Sequence, residues 1–554
     1  MKQKSFSYFL LFIIYLFSCK PCPQEKPIPP VIMVTDTIQI DKKVSEQLKD
    51  YLEDIDTAKT IVLFEDSLFA TRFITKFYEQ NNYTGVWFKK GKRIPQNDSL
   101  YKIIENADEY GLIADDYHAK NIDSLLQLTN GKNINVEAIT EAELLLTDAF
   151  FTLCIHVNKG RLNADSLTRE WKGEQADTNL VDVLNCALER NTVRAAIDSL
   201  EPKNREYMAL KQALKDLKNR FACYSWDSVF YESMDSIPFE ERLKNRLIAS
   251  NHYFNEYVGS PKIKLEKAIK EFQCQHCLKE DGKIGKLTYM ALQKSSQDYI
   301  DQIEMNMERW RYYKKPADEA YAWINIPAYR MRVIEKDSVV QQSRIIAGNR
   351  NNPTPVLHST IRYFLIYPYW NVPYKIATKE ILPILQKNPD YLNRNNFEVL
   401  DATDQVVSCP VNWKRYTEDF FPLRLRQRIG DDNSLGILKF YFNNEYGVYI
   451  HDTNNKNLFY LEDRALSHGC IRLEKFVDFA LYLIRKDSLR YPSDSLRCDL
   501  MEERQKYIYL RHPFPIYINY FTVEVNKHNE LIYLMDVYKR DEKMLRSLDK
   551  KTVQ

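Results

Sequence analysis

The chain has no strong charge of either sign. Its 554 residues carry 78 Lys and Arg against 76 Asp and Glu, a formal net charge of +2. No large basic block stands out, so a nucleic-acid partner is not implied, because such binding needs cations clustered on one face. A long apolar run is also missing: residues 8–17 (YFLLFIIYLF) are too few to span a bilayer comfortably. No internal repeat is detectable. Cys274-Gln275-His276-Cys277 has no second ligand pair at zinc-finger spacing, so it reads as packing or a non-catalytic thiol pair. Neither a metal nor a cofactor is expected.

What is present at the N-terminus sets the compartment. Lys2 and Lys4 precede the apolar run and Ser18-Cys19 follow it, the layout of a secretory signal. The ending Leu16-Phe17-Ser18-Cys19 looks like a bacterial lipobox, with Phe17 bulkier than the usual residue there. This reading makes residues 1–18 a signal peptide and Cys19 a lipidated N-terminus, giving an exported, periplasmic, membrane-anchored protein. An uncleaved anchor or a plain signal peptide are the alternatives, and both still export the folded part. Residues 19–45, proline-rich over 21–30, read as a tether. Export makes the ten cysteines a question of disulfides, but Cys22, Cys154, Cys186, Cys223, Cys409 and Cys498 are scattered and imply no pairing.

The most informative stretch is residues 467–473 (SHGCIRL), preceded by His451 in YIHDT. A thiol becomes a strong nucleophile only when a nearby imidazole or positive field favours its thiolate. His451, His468 and Arg472 could supply that field around Cys470. His451 would end one strand and Cys470 would follow a tight turn at Gly469. The pattern resembles the signature of the YkuD-type L,D-transpeptidases. Residues 325–333, 344–349, 354–356, 366–373, 376–383 and 433–442 resemble the same domain in the family's order, and 513–522 with 531–538 read as a closing strand pair.

Two further segments fit this resemblance. Residues 265–292 carry apolar positions at helical spacing around Asp281-Gly282-Lys283-Ile284-Gly285, and resemble the small peptidoglycan-binding domain of wall enzymes. Residues 77–87, 107–117 and 141–162 resemble the helical scaffold of the large L,D-transpeptidases; 143–157 are apolar nearly all round, as in a buried helix, with a stop at residues 158–161. The fold class expected is multidomain α+β: a mostly β catalytic domain with a lid insertion, a helical scaffold, and a small three-helix module. The expected domains are a scaffold at 46–240, the module at 241–297, the catalytic domain at 298–545 with its lid at 370–432, and a tail at 546–554.

The resemblance also implies a mechanism. Cys470 would attack the peptide carbonyl, and His451 would act as base and then as acid, oriented by the backbone carbonyl of Asp452. The N–H groups of Gly469 and Cys470 would form an oxyanion hole. His468 would orient the loop or the acceptor. Arg472, Ser467, Trp370 and Tyr374 would contact substrate, with a structural salt bridge as the alternative for Arg472 and a hydrogen bond within the loop as the alternative for Ser467. Trp413 and Tyr416 are further candidate groove walls, with core packing as the alternative for these aromatics. The partners implied are peptidoglycan stem peptides as donor and acceptor, glycan strands, and a membrane through the lipid anchor. Two other readings stay open: a thiol peptidase or amidase of the wall, and a non-catalytic wall-binding scaffold. Aromatics at 13%, with 37 Tyr, suit saccharide grooves and ordinary β-sheet cores alike.

Overall fold

The computed structural model describes residues 33–34, 37–53, 61–63, 66–129, 134–162, 179–221, 239–254, 256–313, 316–487 and 491–551. The signal segment, Cys19, the proline-rich part of the tether, Cys22 and Cys223 lie outside the described residues.

The N-terminal region is helical around one long helix, Val136–Lys159. Asn135 caps its start by accepting from Ala138 N–H, and it stops at Gly160, whose φ of +84° an L side chain resists. Most of its residues are buried, including Glu143 at 0% exposure. That carboxyl is tolerated because it accepts from the backbone N–H of Val86, Trp87 and Phe88 and from the Tyr78 hydroxyl. Ile40 and Val44 of the helix Thr37–Leu52 belong to this core, so the scaffold begins inside the stretch expected to be tether. Its other boundary also shifts: Tyr207, Leu210 and Leu214, on the helix Arg205–Phe221, pack into the core of the C-terminal sheet.

Helices Phe239–Ala249, Pro261–Gln275 and Lys286–Leu292 form the small module around Leu243, Leu247, Ala268, Phe272 and Leu292. Gln273 organises its turn, accepting from Gly282 N–H and donating to the Lys283 carbonyl. The helix Ser296–Tyr312, opened by a Ser295–Asp298 capping box, then joins the units. Its buried Glu308 accepts from Arg161 and Leu162 N–H, while Gln302 donates to the carbonyls of Thr522 and Leu534. The end of the chain docks here as well: Leu548, expected in a free tail, is buried beside Leu162, Met305 and Met544.

The C-terminal domain is built on a nine-stranded sheet. Its strands are β1 (Ala320–Asn325), β2 (Arg330–Glu335), β3 (Ser338–Gly348), β4 (Leu357–Ile366), β5 (Leu438–Phe442), β6 (Ile450–His451), β7 (Ala465–Ser467), β8 (Ile471–Leu473) and β9 (Lys506–Asn519). They lie in the order β7-β3-β8-β6-β5-β4-β9-β1-β2, and β2 also pairs with β3, closing the sheet on itself. The expected closing pair does not form. The segment 513–519 is spent between β4 and β1, so Leu531–Tyr533 pairs with Val523–Val525 instead.

Between β4 and β5 lies the insertion expected as a lid. It has its own three-stranded sheet and its own core, which includes Ala377, Leu385, Phe397, Trp413 and Leu425. A substructure with a separate apolar core can move as a body relative to the main sheet.

Candidate active site

Register places the chemistry. β6 and β8 run parallel, with Ile450 opposite Ile471 and His451 opposite Arg472. Ile450 and Ile471 are fully buried, so strand alternation sends Tyr449, His451, Cys470 and Arg472 to the other face together. β5 adds Lys439 directly across from His451. The strand pairing therefore gathers Cys470, the His451 imidazole, Tyr449 and two cations that are up to 33 residues apart in sequence.

The loop carrying Cys470 is held by close backbone packing. Gly469 has a φ of +114°, a left-handed conformation that favours glycine. Gly348 lies beneath it: a Cβ there would sit 2.2 Å from Asn352 O, 2.7 Å from Thr354 N and 3.0 Å from Gly469 Cα. Thr354 Oγ1 accepts from Gly348 N–H at 2.8 Å and donates to the Gly469 carbonyl at 2.8 Å. Tyr538 donates from its hydroxyl to the Gly348 carbonyl at 2.6 Å.

Ser467 is buried inside this loop, which corrects its expected contact with substrate and favours the alternative of a hydrogen bond within the loop. Its hydroxyl donates to the Cys470 carbonyl at 2.5 Å and accepts from Gly469 N–H at 3.2 Å. The second bond corrects the oxyanion-hole expectation too, because the Gly469 donor is engaged within the loop. Trp413 is another correction: it is 4% exposed and fills the core of the insertion instead of lining a groove.

The electrostatics describe a neutral resting pair. His451 is 5% exposed, and burial, reinforced by Arg472 and Lys439, pushes its pKa down to about 3. The carbonyls of Asp452 and Leu435 lie close enough to favour a ring proton, but Nδ1 has no hydrogen bond of normal geometry. The expected Asp452 contact is thus approached without being closed. The Asp452 side chain holds the turn, accepting from Ile437 N–H and pairing with Lys456.

Burial raises the Cys470 thiol above its ordinary value; the Tyr449 N–H and hydroxyl, Lys439 and Arg472 oppose that rise. Arg472 forms no ion pair among the described residues, which removes the salt-bridge alternative, and its Nε is buried without a partner. Its guanidinium is available to a ligand carboxylate.

Tyr449 is the member that the sequence reading passed over. Its ring stands 5.5 Å from that of His451, its face carries the Lys439 ammonium at 3.7 Å, and its hydroxyl meets both Cys470 and Trp370. The signal was available in alternation along the strand: Tyr449 is two residues before His451 and shares its face. Trp370, expected against substrate, touches this hydroxyl at the base of the insertion. Tyr374 is half exposed and donates to the Glu418 carbonyl. His468 Nε2 meets Glu380 at 2.8 Å, fastening the insertion to the Cys470 loop. The exposed thiols of Cys274 and Cys277 are free and not packed, a correction to one of the two expectations for them.

Two measurements check this description. His451 should stay neutral from pH 9 down to about pH 4, followed by NMR of its ring, because its neutral form persists above a pKa of about 3; a titration near 6.5 would contradict it. Alkylation of Cys470 by iodoacetamide, mapped by mass spectrometry, should rise with pH only near and above the ordinary thiol value of 9.0. Tyr449→Phe should slow it by about tenfold at pH 8, the loss of one hydrogen bond to a charged group. An alkylation plateau near pH 6 would mean a resting ion pair instead.

The geometry agrees with what the chain is similar to. Residues 319–487 match the sequence family described as the L,D-transpeptidase catalytic domain, and residues 72–214 match the Scaffold domain. A protein of Haemophilus influenzae, named provisionally as an L,D-transpeptidase, is 29% identical over 254 residues, 46% of this chain and 50% of that protein. The chain spans about half the length of this curated relative. A solved structure titled L,D-transpeptidase (Yku) from Stackebrandtia nassauensis shares 14% identity, covering 51% of this chain and 90% of that one, with a TM-score of 0.19, too low to bear on the fold. The chain therefore carries an L,D-transpeptidase catalytic domain of the YkuD family, preceded by a Scaffold domain.

Proposed function

We propose that this protein is a peptidoglycan L,D-transpeptidase that joins stem peptides in 3→3 cross-links through a thioester on Cys470. The observation that carries the reading is the face shared by Cys470, His451, Arg472, Tyr449 and Lys439, within a chain that matches the catalytic-domain family.

The neutral pair sets the order of events. As Cys470 Sγ attacks the donor carbonyl, its proton passes to His451, whose ring is neutral and able to accept it at any pH well above 3. The S–C bond forms, the peptide C–N bond breaks, and His451 returns the proton to the departing amine of the terminal residue. An acceptor side-chain amine then attacks the thioester; it loses its proton to His451, the new amide forms, and the thiol is restored. Water in place of the amine gives the shortened peptide, an L,D-carboxypeptidase side reaction. Arg472 holds a stem carboxylate, and Lys439 and Arg472 stabilise negative charge on sulfur in the transition state. The insertion, fastened by His468 to Glu380, keeps water from the thioester while the amine enters. The N-terminal lipid anchor on Cys19 and export to the periplasm complete this reading, and the three-helix module places the enzyme on glycan strands.

Carbapenems imitate the acyl donor, so they test the nucleophile. Intact mass spectrometry of the exported portion should show one covalent adduct on the parent and none on Cys470→Ala. A folded parent that forms no adduct overturns the reading in favour of a non-catalytic wall-binding scaffold.

A further inference from the structure

A cavity of about 910 Å³ opens between the three-helix module and the catalytic sheet. Five cations line it: Lys279 from the module, Arg330 on β2, Arg344 on β3, Arg464 before β7 and Lys475 after β8. Only Glu462 and Glu474 oppose them on the lining, and Glu462 already accepts from Lys279 N–H at 2.9 Å.

The cations are loosely neutralised. Arg344 lies 3.7 Å from Glu474, beyond a direct hydrogen bond. Arg330 is 3.5 Å from Glu524, a carboxylate that Arg332 holds more closely at 2.7 Å. Arg464 donates to the backbone carbonyls of Ile345, Leu461 and Tyr329. Lys475 forms no ion pair among the described residues. Burial first, then Arg344 and Arg330, hold Arg464 below its ordinary value against the opposing effects of Cys277 and Tyr329.

Two tyrosines fix the geometry. Arg464 lies over the Tyr329 ring and Arg344 over the Tyr460 ring, each 5.1 Å from the centroid. Arg464 spends its donors on those three carbonyls and adds only its charge, whereas the Arg344 guanidinium, stacked on its ring, keeps donors for a carboxylate, which it can grip with two parallel bonds. Crowding like charges costs stability unless an anion completes the site.

We propose that this cavity binds a peptide bearing two or more carboxylates. Its location gives that peptide a use. Glu474 lines the cavity four residues beyond Cys470, just past the far end of β8, at most about 13 Å away at the ~3.3 Å rise of a strand. An extended peptide of about four residues bridges that distance. On the reading of Cys470 as an acyl-transfer nucleophile, the occupant is an acidic stem peptide, from either the donor or the acceptor strand.

The test uses the full chain with Cys470→Ala, so binding is measured without turnover. The probe is an N-acetylated synthetic tetrapeptide with two free carboxylates, its affinity read by calorimetry at two salt concentrations. We expect saturable binding that weakens with salt, and a loss of about tenfold in Arg344→Glu and in Lys475→Glu, whose melting temperatures should match the parent's. Equal affinity in both folded variants, or equal binding of the peptide with its carboxylates amidated, overturns the proposal. Binding that persists in the carbapenem-acylated parent assigns the site to the acceptor; loss on acylation assigns it to the donor. Absence of acylation with intact peptide binding would refute the function proposed for Cys470 and leave this site standing.

Discussion

The packing of Gly348 against the loop 467–470 is the constraint on which the rest of the site depends. With no side chain at 348, the backbone of β3 comes within van der Waals reach of Gly469 Cα, and Thr354 ties the two glycines with one hydroxyl. Gly469 then takes the left-handed conformation that turns the chain from β7 into β8. Only with that turn does Cys470 lead into β8 in the register that sets it on the face of His451 and Arg472. A methyl group at position 348 would have to displace Asn352 or Thr354 backbone atoms, and the loop would move with them.

The site so formed stores reactivity instead of displaying it. A buried imidazole resists protonation and a buried thiol resists ionisation, so neither group pays the cost of an isolated charge at rest. Lys439 and Arg472 stand close by, both held below their ordinary values by burial. They therefore favour any negative charge that develops on sulfur during attack. This arrangement keeps the thiol protonated at rest, which slows its oxidation, and gives Tyr449 a part as the hydroxyl that already touches the sulfur.

What was legible in the sequence was mostly local. Cys470, Gly469, Arg472 and His451 announce themselves because turn chemistry and nucleophile lie within one short motif. The α+β class follows from the family resemblance, while the buried middle of the long helix, residues 143–157, is legible from its all-round apolar positions and the stop at 158–161 from its residue types. What escaped depends on register across strands. Lys439 reaches the site only because β5 places it opposite His451, and Glu380 only because the insertion folds back onto His468. The Gly469 N–H, expected to serve substrate, is met by the Ser467 hydroxyl, since a buried loop must pair its own polar groups first. The segment 513–519 was paired with the wrong neighbour because hydrophobic alternation reports a strand and not its partner. Only the first part of the helix Thr37–Leu52, residues 37–45, falls in the expected tether, because the proline-rich sequence shortly before it masks where the helix begins.

The central claim is acyl transfer through Cys470, and its most direct measurement is product analysis. Purified disaccharide-tetrapeptides incubated with the protein should yield, by mass spectrometry, a dimer equal to two substrates less one alanine, and Cys470→Ala should yield none. Shortened or cleaved monomers without any dimer, or dimers formed equally well by Cys470→Ala, would contradict the account.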